Sequence, residues 1–123
     1  WHRRNPIHVD AGTYPTPSGE TRSGDAMRAT GVLATLVAPA GRSAETLEAL
    51  QALERAAADE PGTTLFSIQE HRDEPGTFSV FERYEDDDAV TAHRGSQAMS
   101  DFRAALTELG IRPTLVFLTP IDS

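Results

Sequence analysis

Apolar residues gather in separate segments along the chain, and the spacing within each predicts the element it forms. Thr30 to Ala38 (TGVLATLVA) is a short apolar run with β-branched residues, closed by Pro39 and Gly41, which predicts a buried strand. Ser43 stands where a helix N-cap belongs, and Glu45 falls in the first turn, where a carboxylate meets the positive end of the helix dipole. Leu47, Leu50, Leu53 and Ala57 recur at helical spacing, so the helix runs from about Ala44 to Ala58 and stops before Pro61-Gly62.

Thr63 to Arg72 (TTLFSIQEHR) changes the period to two. Phe66, Ile68 and Glu70 share one face, and Leu65, Ser67, Gln69 and His71 the other. Asp73-Glu74-Pro75-Gly76 supplies turn chemistry, and Thr77 to Tyr84 (TFSVFERY) completes a hairpin. The acidic run Glu85 to Asp88 suits a helix N-terminus, and Ala89 to His93 opens that helix before Gly95-Ser96 interrupts and recaps it. Met99, Phe102, Leu106 and Leu109 then form one helical stripe, which Gly110 and Pro113 end. Thr114 to Thr119 (TLVFLT) is the last strand. Strand, helix, strand, strand, helix, strand is the split βαβ order of an α+β, ferredoxin-like βαββαβ domain with both helices on one face of the sheet.

Residues 1–26 show neither period and are rich in Pro, Gly, Thr, Ser and Arg, so they read as an extended N-terminal arm or leader. Trp1, Ile7, Val9 and Tyr14 are its expected anchors on the domain surface or on a neighbouring subunit, with His2 and His8 facing solvent or a subunit. Residues 27–123 form the domain. In that domain the helices cover one sheet face only. The first and last strands carry Val32, Leu33, Leu36, Val37, Leu115, Val116, Phe117 and Leu118, apolar on both faces, so the second face calls for a cover. A symmetric homodimer, sheet against sheet, supplies one.

Composition narrows the partners. The 123 residues carry a formal charge of −8 and no Lys, and Arg does not cluster among aromatics, which argues against nucleic acid. Without Cys there is no disulfide, thiolate nucleophile or thiolate-ligated metal. No apolar run approaches the ~18 residues of a membrane span, and no secretion signal is present, so no membrane partner and a cytoplasmic location are expected.

Candidate chemistry centres on His93, whose ordinary pKa lets it take and return a proton near neutrality. The competing role is structural, a hydrogen bond to Ser96 or a nearby carbonyl at the helix break. Tyr84 shares a strand face with Glu82, Val80 and Phe78, and its phenol can donate to a developing oxyanion or simply pack on the second helix. Glu82 can orient a base or pair with Arg72 or Arg83. Phe66, Phe81, Met99, Phe102 and Phe117 can line an aromatic pocket or serve as core. Glu70, His71 and His93 lack metal-ligand spacing, so no metal is expected.

Pro61-Gly62, Phe66-Ser67-Ile68, Phe78 to Tyr84 and Ala92-His93-x-x-Ser96-x-x-Met99-x-x-Phe102 together resemble the antibiotic biosynthesis monooxygenase family, over about Arg28 to Pro120. The most telling part is a strand ending in Glu82-Arg83-Tyr84, then an acidic linker and the His93 helix. The chain departs from the family pattern in having Tyr84 where Trp is common and no Asn between Thr30 and Ala38. The resemblance implies a dimeric α/β-barrel whose relatives include cofactor-free oxygenases, quinol monooxygenases and heme-degrading enzymes. It implies here a cofactor-independent monooxygenase that uses dioxygen on a phenolic, anthrone- or quinol-like small molecule. His93 would be the base and Tyr84 the oxyanion donor, with Phe66, Glu82, Met99, Phe102 and Phe117 binding substrate. The alternatives are a heme-binding, heme-degrading monooxygenase in which His93 approaches iron, and a non-catalytic dimeric small-molecule-binding protein.

Overall fold

The computed structural model describes residues 28–121 together with the two-residue strand Ile7–His8. The elements are β1 (Ile7–His8), β2 (Thr30–Val37), α1 (Ser43–Ala57), β3 (Thr63–Glu70), β4 (Thr77–Tyr84), α2 (Asp87–Arg94), α3 (Gln97–Leu109) and β5 (Thr114–Leu118). The strands make one antiparallel sheet in the order β1-β5-β2-β4-β3. From β2 to β5 this is the predicted ferredoxin-like βαββαβ arrangement, with each helical crossover skipping over one intervening strand. Beyond it, Ile7 pairs with Leu115 and His8 with Thr114, so a piece of the N-terminal segment extends the sheet. The other expected anchors, Trp1, Val9 and Tyr14, and His2 lie outside the described residues.

Strand alternation divides the molecule. β2 turns Val32, Ala34 and Leu36 to the helix side, and β4 does the same with Phe78, Val80, Glu82 and Tyr84. Val32 stands opposite Glu82 and Ala34 opposite Val80, which fixes the row that α1 and α3 must cover. Leu50 and Leu53 of α1, Val90 of α2, and Met99, Phe102 and Leu106 of α3 close over that row as a single core.

The opposite face carries no helix. Leu33 there is flanked by Phe81 and Val116, and the next row runs Leu118, Gly31, Arg83, Leu65. Phe81 is 44% exposed and Leu65 47%, values far from those of core side chains. Beside this apolar band, Ser79 hydrogen-bonds Thr35 at 3.2 Å and His71 at 2.7 Å. The two-sided apolar character expected of the first and last strands is therefore present.

Helix termini account for most boundary differences. Ser43 was the expected cap of α1, but Arg42 occupies the cap position and caps with no side-chain bond. The reason is the preceding turn: Arg42 N–H returns to the Pro39 carbonyl at 2.9 Å, and Gly41 supplies its positive φ of 79°, so the helix begins one residue earlier, at Ser43. The acidic run behaves as charge at a helix N-terminus should. Asp86 caps α2 by accepting from the Ala89 N–H at 2.8 Å, with Asp87 and Asp88 in the first turn. Ser96 caps α3 through the Met99 N–H, and Gly110, at φ 74°, ends it. Among the described residues no helix is long and apolar enough to cross a membrane.

Candidate active site

Two adjacent inward positions of β4 bring Glu82 and Tyr84 to the core face. The third participant, His93, arrives on α2, which is seated by Gly62. A Cβ built on Gly62 would lie 2.4 Å from the Ala89 Cβ, so only glycine lets α2 approach this closely. Glu85 N–H bonds the Gly62 carbonyl at 2.9 Å and holds the end of β4 to the same turn.

The result is a buried polar cluster. The Tyr84 hydroxyl donates to Glu82 Oε1 at 2.5 Å. The His93 ring lies 5.3 Å from the Tyr84 ring and 6.1 Å from the Phe66 ring. Its Nδ1 is 2.8 Å from Glu60 Oε1, which also accepts the Thr63 hydroxyl at 2.7 Å. His93 is 1% exposed and Glu82 6%. Burial among apolar side chains pushes the Glu82 carboxyl up to about 7; the Tyr84 hydrogen bond opposes that rise and the neighbouring Glu60 charge adds to it. Glu60 Oε2 and His93 Nε2 are buried with no hydrogen-bond partner.

Glu82 also reaches an enclosed space between the sheet and helices α1 and α3. Phe66, Leu50, Met99, Phe102 and Leu115 are among its walls, so its lining is apolar apart from the one carboxyl. The space is about 10 Å³, room for a single water molecule.

Most of the side chains singled out from the sequence meet here. His93, Tyr84 and Glu82 form the cluster, and Phe66, Glu82, Met99 and Phe102 line the cavity. Phe117 packs against the core from β5 without lining it. Phe81 is a correction: β4 alternation turns it to the uncovered face, away from any aromatic pocket. The expected pairing of Glu82 with Arg72 or Arg83 is corrected likewise, since Arg83 faces away from Glu82 along the strand and Arg72 is exposed, leaving Tyr84 as the partner. The Ser96 hydroxyl bonds the His93 carbonyl at 2.8 Å instead of the ring, and the ring goes to Glu60. Glu60 itself was missed. Its only sequence signal is its place directly before Pro61-Gly62, while its partner lies 33 residues away. Among the described residues no group of three or more His, Asp or Glu side chains is arranged to hold a metal ion.

The model of the antibiotic biosynthesis monooxygenase family matches residues 30–105, which contain β2 through most of α3 and every member of the cluster. The chain belongs to this family. Solved structures agree in fold. A protein of Mycobacterium tuberculosis is 26% identical, with a TM-score of 0.71 over 77% of this chain and 97% of that one. A Caulobacter crescentus protein described as a candidate antibiotic biosynthesis monooxygenase is 25% identical, with a TM-score of 0.72 over 79% of this chain and 93% of that one. A Deinococcus radiodurans protein with the same description, 21% identical at a TM-score of 0.72 over 76% and 94%, shares the fold. No curated protein matches the chain.

Some antibiotic biosynthesis monooxygenase relatives handle heme, which would need His93 Nε2 to face a macrocycle-sized space. The ring is instead closed in by Tyr84, Phe66 and Glu60, and the adjoining cavity has room for one water. These residues do not fit heme as they stand.

Proposed function

We propose that the chain is a cofactor-independent monooxygenase, working as a symmetric homodimer, that oxidises a small electron-rich phenol or hydroquinone with dioxygen. The observation that carries this is the Glu82 carboxyl, which stands in the wall of an otherwise apolar cavity with its proton affinity raised to about 7 and a phenolic hydroxyl at 2.5 Å. A base works best when its pKa lies near the working pH, and a dry site leaves it facing substrate instead of water.

A deprotonated phenol or hydroquinone can itself deliver electrons to dioxygen, so the protein needs a base, a hydrogen-bond donor and a water-poor enclosure. Glu82 takes the substrate proton, and the single proton of the Tyr84 hydroxyl, held on that carboxylate beforehand, then turns from the neutralised acid to the developing oxyanion. Glu82 thus assumes the part first assigned to His93, because it is the group that borders the cavity, and His93 stands behind it against Tyr84. The cavity as it stands holds one water, so even a one-ring phenol must part the helices from the sheet, and each further ring must part them more. The apolar open face, centred on Leu33 and Phe81, supports the homodimer.

Dioxygen uptake over a panel of quinols, phenols and anthrones tests the reading. Turnover is expected with a rate that rises with pH about a midpoint near 7, and Glu82→Gln should lower it by roughly 10²- to 10⁴-fold. Full activity in Glu82→Gln removes Glu82 as the base. No uptake on any member of the panel, with a small molecule retained, would favour a binding protein instead.

A further inference from the structure

Glu60 and His93 are the buried pair that the proposed base and donor leave unused. Both come from outside the strand that carries Glu82 and Tyr84: Glu60 lies in the turn between α1 and β3, and His93 on α2. That turn is firmly held, with Glu60 N–H on the Ala57 carbonyl at 3.0 Å and Thr63 N–H on the Glu60 carbonyl at 3.2 Å. Its side chain is equally constrained. One oxygen, Oε1, receives both the Thr63 hydroxyl and the His93 ring nitrogen, so it acts as an acceptor on two sides. An acceptor there requires the proton of a neutral imidazole to sit on Nδ1, which leaves a lone pair on Nε2. Nε2 is fully enclosed and has no hydrogen-bond partner in the protein, an unusual state for a buried polar atom. The same ring touches Phe66, a wall of the cavity, and Tyr84, the partner of Glu82.

We infer that Glu60 is a positioning residue: it fixes His93 as the Nδ1–H tautomer, so that Nε2 offers a lone pair inside the buried cluster, behind Glu82 and away from substrate. In that arrangement Glu82 remains the base toward substrate, and His93 is a second proton acceptor within the cluster, taking a proton at Nε2 and returning it there while Nδ1–H stays on Glu60 throughout. The carboxylate stabilises the imidazolium that forms in between, by the same logic through which a second carboxylate orients and supports a histidine base elsewhere. The catalytic part of the inference rests on the acid–base reading of the cluster; the tautomer does not.

The test separates the two. In the full chain labelled with ¹⁵N-histidine, two-bond ¹⁵N–¹H correlations should show neutral His93 protonated at Nδ1 and bare at Nε2. Glu60→Gln should give a mixture of tautomers and lower kcat by roughly 10- to 100-fold with KM nearly unchanged. An Nε2–H tautomer in the unsubstituted protein overturns the inference, and that measurement stands even if Glu60→Gln fails to fold. A scrambled tautomer with kcat intact also overturns it, by showing the pair to be structural. Should no substrate turn over at all, the wild-type tautomer still decides the role of Glu60, and the missing turnover counts against the monooxygenase reading alone.

Discussion

Glu82 binds its proton more tightly in the folded chain, where its pKa is about 7, than at its ordinary value of 4.5. Folding therefore takes up a proton between those two values. Stability from this group is greatest below pH 4.5, declines as pH rises through 7, and is then constant at a deficit of about 3 kcal/mol. Glu82→Gln removes the ionisation and with it the deficit. Urea unfolding at fixed protein concentration should show the Gln variant gaining on the wild type by roughly 2–3 kcal/mol between pH 5 and pH 8, and an equal difference at both pH values would contradict the buried carboxyl. At this scale the sequence exposed the right types of side chain. Glu82 and Tyr84 are two apart on a strand, so their shared face was readable from alternation, and their hydrogen bond follows from it. Glu60 was not readable, because the pairing of a loop carboxylate with a helix imidazole 33 residues on leaves no local period.

Among the elements, α2 is the one whose placement decides the cluster, and Gly62 decides α2. Gly62→Ala forces a methyl against Ala89, where the built contact of 2.4 Å is too short to survive, so helix or turn must give way. We expect a loss of about 1–3 kcal/mol in unfolding free energy and a weakened Glu60–His93 contact, seen as a change in the His93 ring resonances. Wild-type stability in that variant would show that the turn has slack. The strands and helices were largely legible, since periods of 2 and 3.6 stand out in TTLFSIQE and in the Met99, Phe102, Leu106 stripe. The start of α1 was not, because a turn closed on Pro39 with Gly41 at positive φ outranks the capping preference of Ser43. β1 is too short to carry any period, and only its pairing with β5 reveals it.

For the whole molecule, element order alone led to the strand order from β5 through β2 and β4 to β3, because short crossovers and the split βαβ rule leave few alternatives. The uncovered apolar band is the part that association would bury. Phe81→Arg puts a charge at its centre, opposite Leu33 and beside Ser67. Sedimentation equilibrium is expected to return twice the monomer mass for the unsubstituted chain and the monomer mass for this variant; a wild-type monomer would refute the dimer itself. The two faces share one stretch of backbone, since β4 alternates Phe78, Val80, Glu82 and Tyr84 inward with Ser79, Phe81 and Arg83 outward. Such a strand counts in twos. Losing or gaining a single residue before Phe81 would export the acid and the phenol to water and send a guanidinium into the core, whereas a change of two would preserve both assignments. Descendants of this sequence that vary in length along β4 should therefore do so by even numbers, or confine the change to the turn that precedes it.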